Sequence, residues 1–219
     1  MHNIITSLTK IQKQINDFNK EENTKLPNII AVSKTFPMEK IIPLVEHGHV
    51  HFGENKVQEA FEKWPKIKEQ YPHIKLHMLG KIQSNKVKFL LPLFDFIHSL
   101  DNLKLAQKIS DSQKNKKIKP GIFIQINIGN EVQKNGIDLD NLKSFYEECV
   151  NNLGLNIIGF MCLPPAEKKP EKYFKLLNEL NKSYQLKELS MGMSTDYLDA
   201  LKHGATYLRL GSIIFGSRS

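Results

Sequence analysis

Asn28-Ile-Ile-Ala-Val-Ser33-Lys34-Thr35-Phe36-Pro37 reads as a short strand that ends on a lysine. Ile29 to Val32 are apolar and mostly β-branched, a run that suits a strand covered on both faces. Pro37 stops extended structure and is fitted to open the next helix. A lysine at the carboxyl end of a buried strand is unusual. In an apolar setting an ammonium loses hydration, its pKa falls, and the free amine becomes a nucleophile towards aldehydes. The bland alternative is a solvated loop lysine, because lysine is seldom buried. The rest of the chain decides between the two.

Working outward, the helical spacing of Ile4, Ile5, Leu8, Ile11, Ile15 and Phe18 predicts an amphipathic helix over residues 1–20. Strands are expected at 29–34, 49–52, 75–79, 94–99, 122–128, 156–162, 188–193 and 207–211. Helical stretches alternate with them at 38–47, 54–71 (bent or ended near Pro65), 84–91, 101–116, from Asp138 or Asp140 to 153, 170–185 and 194–203. Gly48 and Gly204 stand where left-handed caps are wanted, and Asp101 and Ser194 are expected as N-caps. Strand–helix alternation implies a parallel sheet. Eight such units in 219 residues favour a closed (β/α)8 TIM barrel over an open sheet. No Gly-x-Gly-x-x-Gly follows the first strand, which argues against a dinucleotide fold. With no linker and no internal repeat, residues 1–219 read as one domain with the N-terminal helix packed on the barrel.

The formal net charge is +8, yet the lysines are spread along the chain. Their densest cluster, Lys114 to Lys119, looks like the solvated end of a helix. No basic strand carries interleaved aromatics, so nucleic acid is not an expected partner. No apolar run is long enough to span a membrane, and residues 1–20 lack the pattern of a signal peptide. Cys149 and Cys162 fit a reduced, cytoplasmic protein as buried, inert thiols.

In a barrel of this kind sites lie at the carboxyl ends of the strands, with phosphates commonly held after strands seven and eight. Strand seven ends at Gly192-Met193-Ser194-Thr195-Asp196, where hydroxyls and a helix N-terminus offer donors to an anion. Ser194 could equally be just a helix cap, and the two roles are compatible. Strand eight ends at Arg209-Leu210-Gly211-Ser212. Gly211 would let backbone approach a ligand, and Ser212 adds a hydroxyl and an amide. Arg209 shares parity with Tyr207 and Gly211 and should face the interior. There it would serve a structural salt bridge or donate to a ligand ring nitrogen. Lys34, at the end of strand one, closes against strand eight at the same mouth. The aldehyde-plus-phosphate ligand that suits this set is pyridoxal 5′-phosphate (PLP).

Five motifs carry a resemblance: Ala31-Val-Ser-Lys34, His51-Phe-Gly-Glu-Asn55-Lys-Val-Gln-Glu59, His77-Met-Leu-Gly80-Lys-Ile-Gln-Ser-Asn85-Lys86, Leu189-Ser-Met-Gly-Met-Ser194 and Arg209-Leu-Gly-Ser212-Ile-Ile-Phe-Gly-Ser-Arg218. In order and spacing they resemble the pyridoxal phosphate homeostasis protein family, a single barrel similar to the N-terminal domain of alanine racemase. The resemblance implies an internal aldimine on Lys34, ring-nitrogen contact from Arg209, and phosphate contacts from Ser194, Gly211 and Ser212. It adds Asn55 to the pocket, with Met193 and Asn85 as weaker candidates. The chain departs from the family pattern at Ser212, where threonine is usual, at Lys56, and at Leu76, where a tryptophan often stands. None of these removes a group that cofactor binding needs.

An arginine opposite the pyridine nitrogen keeps that nitrogen unprotonated, which makes a poor electron sink. A two-base racemase also needs a second acid–base group, and in alanine racemase-like enzymes it comes from a second domain and a partner subunit. The expectation is therefore binding, storage and delivery of PLP without efficient catalysis. Its partners would be PLP and, transiently, PLP-requiring apoenzymes, and the chain would be a monomer. The runner-up is an amino-acid racemase-like enzyme of modest activity. A metal hydrolase built on His47, His49 and His51 is a third reading, weakened by the lack of an acidic residue at the end of strand eight. Lys134, in the loop after strand five, is a further amine to consider, and Gln125 and Asn127 are expected to face the interior.

Overall fold

The computed structural model describes residues 3–22, 26–131, 135–165 and 169–217. The elements in chain order are α1 (Ile4–Glu22), β1 (Asn28–Val32), α2 (Met38–Glu46), β2 (His51–Glu54), α3 (Val57–Lys63), α4 (Pro65–Gln70), β3 (Lys75–Met78), a 3₁₀ turn (Ser84–Lys86) running into α5 (Val87–Leu90), and β4 (Phe96–Leu100). They continue as α6 (Leu103–Lys116), β5 (Gly121–Ile126), α7 (Leu139–Glu147) with a π turn (Glu148–Asn152), β6 (Ile157–Cys162), α8 (Glu171–Ser183), β7 (Glu188–Met193), α9 (Tyr197–Lys202), β8 (Tyr207–Leu210) and α10 (Ser212–Phe215).

The strands form a closed parallel barrel in sequence order, so the expected TIM barrel is present. β1 closes it against β8, with Asn28 opposite Tyr207 and Ala31 opposite Leu210. The period of two sorts each strand. Ile29 and Ala31 join the layer between strands and helices, while Ile30 and Val32 point inward with Phe123, Met161 and Tyr207. That inner apolar cluster is small. Much of the remaining interior is polar: Arg209, Ser190, His98 and His77 are all buried there. Helix α1 lies against α2 and α10. Its Leu8, Ile11 and Ile15 are buried, and each contributes about 2 kcal/mol by leaving water.

Several boundaries differ from expectation for local reasons. β2 begins at His51 rather than His49, because the His49 backbone N–H is taken by the Leu44 carbonyl of α2 at 3.0 Å. The 54–71 helix divides at Trp64, and Pro65 opens α4 at a position where its missing N–H costs nothing. Asn102, one residue after the expected Asp101, caps α6: its side chain accepts the Leu105 N–H at 2.9 Å. Asp196, not Ser194, holds the N-cap position of α9. The left-handed glycines fall as expected, with φ of 85° at Gly48 and 84° at Gly204.

Candidate functional site

A cavity of about 610 Å³ opens at the carboxyl end of the barrel. Lys34, Asn55, Met193, Ser194, Arg209, Gly211 and Ser212 all line it, alongside apolar Val32, Leu79 and Met161. The structure therefore brings together seven residues that the sequence placed on four different strand ends. Asn85 is elsewhere, in a cleft with Lys88, Lys108 and Asp111, because the 3₁₀ turn carries it away from the mouth. Lys134 lies outside the described residues.

Lys34 is half-buried on a turn gripped from several sides. The Ser33 N–H donates to the Gly53 carbonyl at 2.9 Å, and the Ser33 hydroxyl donates to Glu54 Oε1 at 2.8 Å. Lys63, on α3, donates to the Ser33 carbonyl at 3.1 Å and pairs with Glu59 at 2.7 Å and Glu54 at 3.1 Å. Glu59 also accepts the N–H of Thr35, whose φ is 68°. A non-glycine residue there is strained, and the two α3 side chains hold it in place. Burial would raise the Glu59 carboxyl, but hydrogen bonds from Lys63 and Thr35 outweigh it and hold the carboxyl below its usual range. For Glu54 the balance reverses: burial pushes it up despite Lys63, Trp64 and Ser33.

Asn55 follows β2, and its backbone packs on Gly80 at the end of β3. A side-chain carbon at Gly80 would collide with the Asn55 carbonyl, so glycine there is what lets the two loops meet. The Ser99 hydroxyl pins the same turn by donating to the Gly80 carbonyl at 2.7 Å.

The opposite wall joins β7 to β8. Asp196 accepts the Met193 N–H at 2.6 Å, closing a tight turn. That turn presents the Ser194 hydroxyl, which accepts the N–H groups of Gly211 (3.3 Å) and Ile213 (3.4 Å). Ser194 is thus a cross-loop tie rather than a helix cap. Gly211 has an ordinary φ of −112°, and a side-chain carbon there would meet only Val32 at a comfortable 3.5 Å. Among the described residues nothing crowds a side-chain carbon at 211; what the bare backbone leaves open is the cavity.

Arg209 is buried, and its guanidinium donates to Ser190 Oγ at 2.7 Å and to the Cys162 carbonyl at 2.9 Å. Among the described residues it has no ion-paired carboxylate, so the structural salt bridge is not what holds it. Burial holds its pKa below the usual guanidinium value, yet it stays a cation. Behind Ser190 stand His98, His77 and His51, which the sequence reading did not connect. Their signal was inward parity on three consecutive strands. The histidine set considered for a metal divides: His51 turns to His77 at 2.9 Å, and His49 packs edge-on against Phe52. Gln125 and Asn127 are buried but tie down the loop after β5, bonding Asn135, Glu131 and Asp138. Burial pushes both cysteine thiols up to about 12, so neither is a ready nucleophile.

The fold defines the class. The chain is a (β/α)8 barrel of the alanine racemase N-terminal-domain kind, and the family model for that domain matches residues 6–219. The chain belongs to the pyridoxal phosphate homeostasis protein family. It is 35% identical over 220 residues to the pyridoxal phosphate homeostasis protein of Aquifex aeolicus, covering 96% of this chain and 95% of that one. To the Buchnera aphidicola protein of the same name it is 38% identical over 225 residues, covering 98% of both. Among solved structures, PipY of Synechococcus elongatus PCC7942, described with PLP bound, superposes with a TM-score of 0.87 at 29% identity over 98% of this chain and all of that one. Alanine racemase of Clostridium difficile 630 shares the fold (TM-score 0.74, 15% identity), with 57% of its chain covered.

Proposed function

We propose that this protein holds PLP covalently through the Lys34 amine and serves its intracellular homeostasis, storing and releasing it without efficient catalysis. The observation that carries this reading is that Lys34, Arg209 and the Ser194–Ser212 corner line one cavity. When bound, PLP supplies an aldehyde that condenses with a primary amine and a phosphate that anchors it.

The residues present fit such a group. The cavity is within the size range of small-ligand sites. The bare backbone at Gly211, unexplained by the protein's own packing, leaves room for an anion beside the Ser194 and Ser212 hydroxyls. Lys34 supplies the amine on a rigid turn, and Asn55 adds an amide at the same wall. Arg209 is assigned the ring nitrogen. A guanidinium only donates, so that nitrogen stays without a proton of its own.

The lining also bears on turnover. Among the described residues around the cavity, Lys34 is the one group besides Arg209 that carries a titratable proton. No tyrosine, histidine or carboxyl stands there to serve as a second acid–base group, which supports holding over racemisation. The two free, buried cysteines suit a reducing, cytoplasmic setting, and PLP-requiring apoenzymes are the proposed recipients of a cofactor released from a monomer. Equilibrium dialysis tests the reading. One equivalent of PLP should be retained per chain and released by a competing amine; no retention contradicts it.

A further inference from the structure

Five polar groups from five strands form one file through the barrel interior. Arg209 Nη1 donates to Ser190 Oγ at 2.7 Å, and Ser190 Oγ lies 2.8 Å from His98 Nδ1. His98 Nε2 lies 2.9 Å from His77 Nδ1, and His77 Nε2 lies 2.9 Å from His51 Nδ1. The file begins at the cavity and ends in a cleft on the opposite, amino-terminal face, which His51 lines with His47, His49 and Asn28. The rings are clamped: His77 stacks on Phe96 (4.5 Å, 5° between planes) and His98 on Phe123 (4.3 Å, 22°).

The direction of every bond in the file follows from its first member. Arginine has donors and no acceptor, so Ser190 Oγ must accept from it. Among the described residues the one other partner of that hydroxyl is His98 Nδ1, so the hydroxyl hydrogen goes there. His98 then carries its proton on Nε2 and gives it to His77 Nδ1. His77 in turn carries its proton on Nε2 and gives it to His51 Nδ1. His51 is left with Nε2–H facing the lower cleft. Reversing the file would leave the Ser190 hydrogen buried with no acceptor. Burial first, then the neighbouring positive groups, disfavours a charge on His98 and His77, so the rings stay neutral.

We propose that Ser190, His98, His77 and His51 are positioning residues for Arg209, a tautomer-locked file that fixes where the guanidinium sits and couples the cavity to the lower cleft. The tautomer lock stands on the protein alone; its effect on ligand binding rests on the proposed role of Arg209 towards PLP.

The test is ¹⁵N NMR of histidine-labelled protein without ligand. His98, His77 and His51 should each be the neutral Nε2–H tautomer, and an Nδ1–H tautomer or a charged ring at His98 or His77 at neutral pH overturns the proposal. In Ser190→Ala the tautomer balance of His51, three bonds down the file, should shift, and Ser190→Thr should restore it. An unmoved His51 in a folded Ser190→Ala variant also overturns it, since mere packing would predict that result. Ser190→Ala should further weaken PLP binding roughly tenfold, the scale of one hydrogen bond to a charged group. Equal affinity in the variant and the parent overturns the positioning role. If the parent protein binds no PLP, the proposed function fails while the tautomer measurement still decides the file.

Discussion

The Ser194 hydroxyl lies 3.3 Å from the Gly211 nitrogen and ties the loop after β7 to the start of α10. That contact closes the corner proposed to hold the phosphate. Ser194→Ala removes both the tie and, in the proposed reading, a donor to the phosphate. Affinity for PLP should fall about tenfold, while affinity for pyridoxal, which lacks the phosphate, should change little. Absorbance titrations of both ligands check this, and an equal loss for both would place the phosphate elsewhere.

Arg209 meets a hydroxyl and a carbonyl instead of a carboxylate. Replacing it by glutamate puts an acid where the guanidinium donated. Arg209→Glu should bind PLP more weakly yet incorporate α-deuterium into amino acids faster than the parent, because a ring nitrogen facing an acid can be protonated and draw electrons. Proton NMR of a panel of amino acids in heavy water reads this. Unchanged affinity and exchange would separate Arg209 from the ring.

Gly80 sets how closely the Asn55 loop approaches β3. Gly80→Ala forces a methyl into the Asn55 carbonyl, an overpacking error of about 2 kcal/mol. The melting temperature should fall by roughly 4–8 °C. Gly80 is not among the positive-φ glycines, so crowding against the Asn55 carbonyl is the cause of that loss. An unchanged melting temperature in Gly80→Ala would contradict the close approach of the two loops.

Much of the barrel was legible because its signals are local. Apolar runs, turn glycines and a period of two along each strand gave eight units and put Arg209 inward. The clamp on Lys34 was not legible. Glu59 and Lys63 are an i,i+4 pair that reads as a surface helix bridge, and only tertiary packing brings them to the Ser33-Lys34-Thr35 turn. Ser194 misled for a chemical reason: a hydroxyl shortly before a helix suits a cap as well as it suits the cross-loop tie, and here it stands three residues before α9. Asp101 and Asn102 are neighbours with the same capping chemistry. The histidine file needed the register between strands, which no single strand encodes.

The buried histidines also set a pH dependence. His49 and His51 are lowered to about 4, by burial first, with Asp95 opposing and Lys75 assisting at His51. His77 and His98 are also lowered, by burial first. A histidine held neutral in the fold but titrating near 6.5 when unfolded stabilises the protein above pH 6.5, and that stability is lost as pH falls towards 4. Each such group costs about 1.4 kcal/mol per pH unit within that window. Glu54, raised in the fold, opposes this with the other sign. Four against one should make denaturant stability drop between pH 6 and 5 by more than one proton's worth. A flat profile from pH 7 to 5 would contradict the neutral assignment.

Lys34 is the proposed covalent holding point, and the absorption spectrum of the purified protein after incubation with PLP reads that bond. The account predicts a band near roughly 420 nm, the region of a protonated imine of this cofactor, that is absent in Lys34→Ala. Borohydride should fix the added mass on the peptide containing Lys34. No band in the parent protein, or the same band in a folded Lys34→Ala variant, would contradict it.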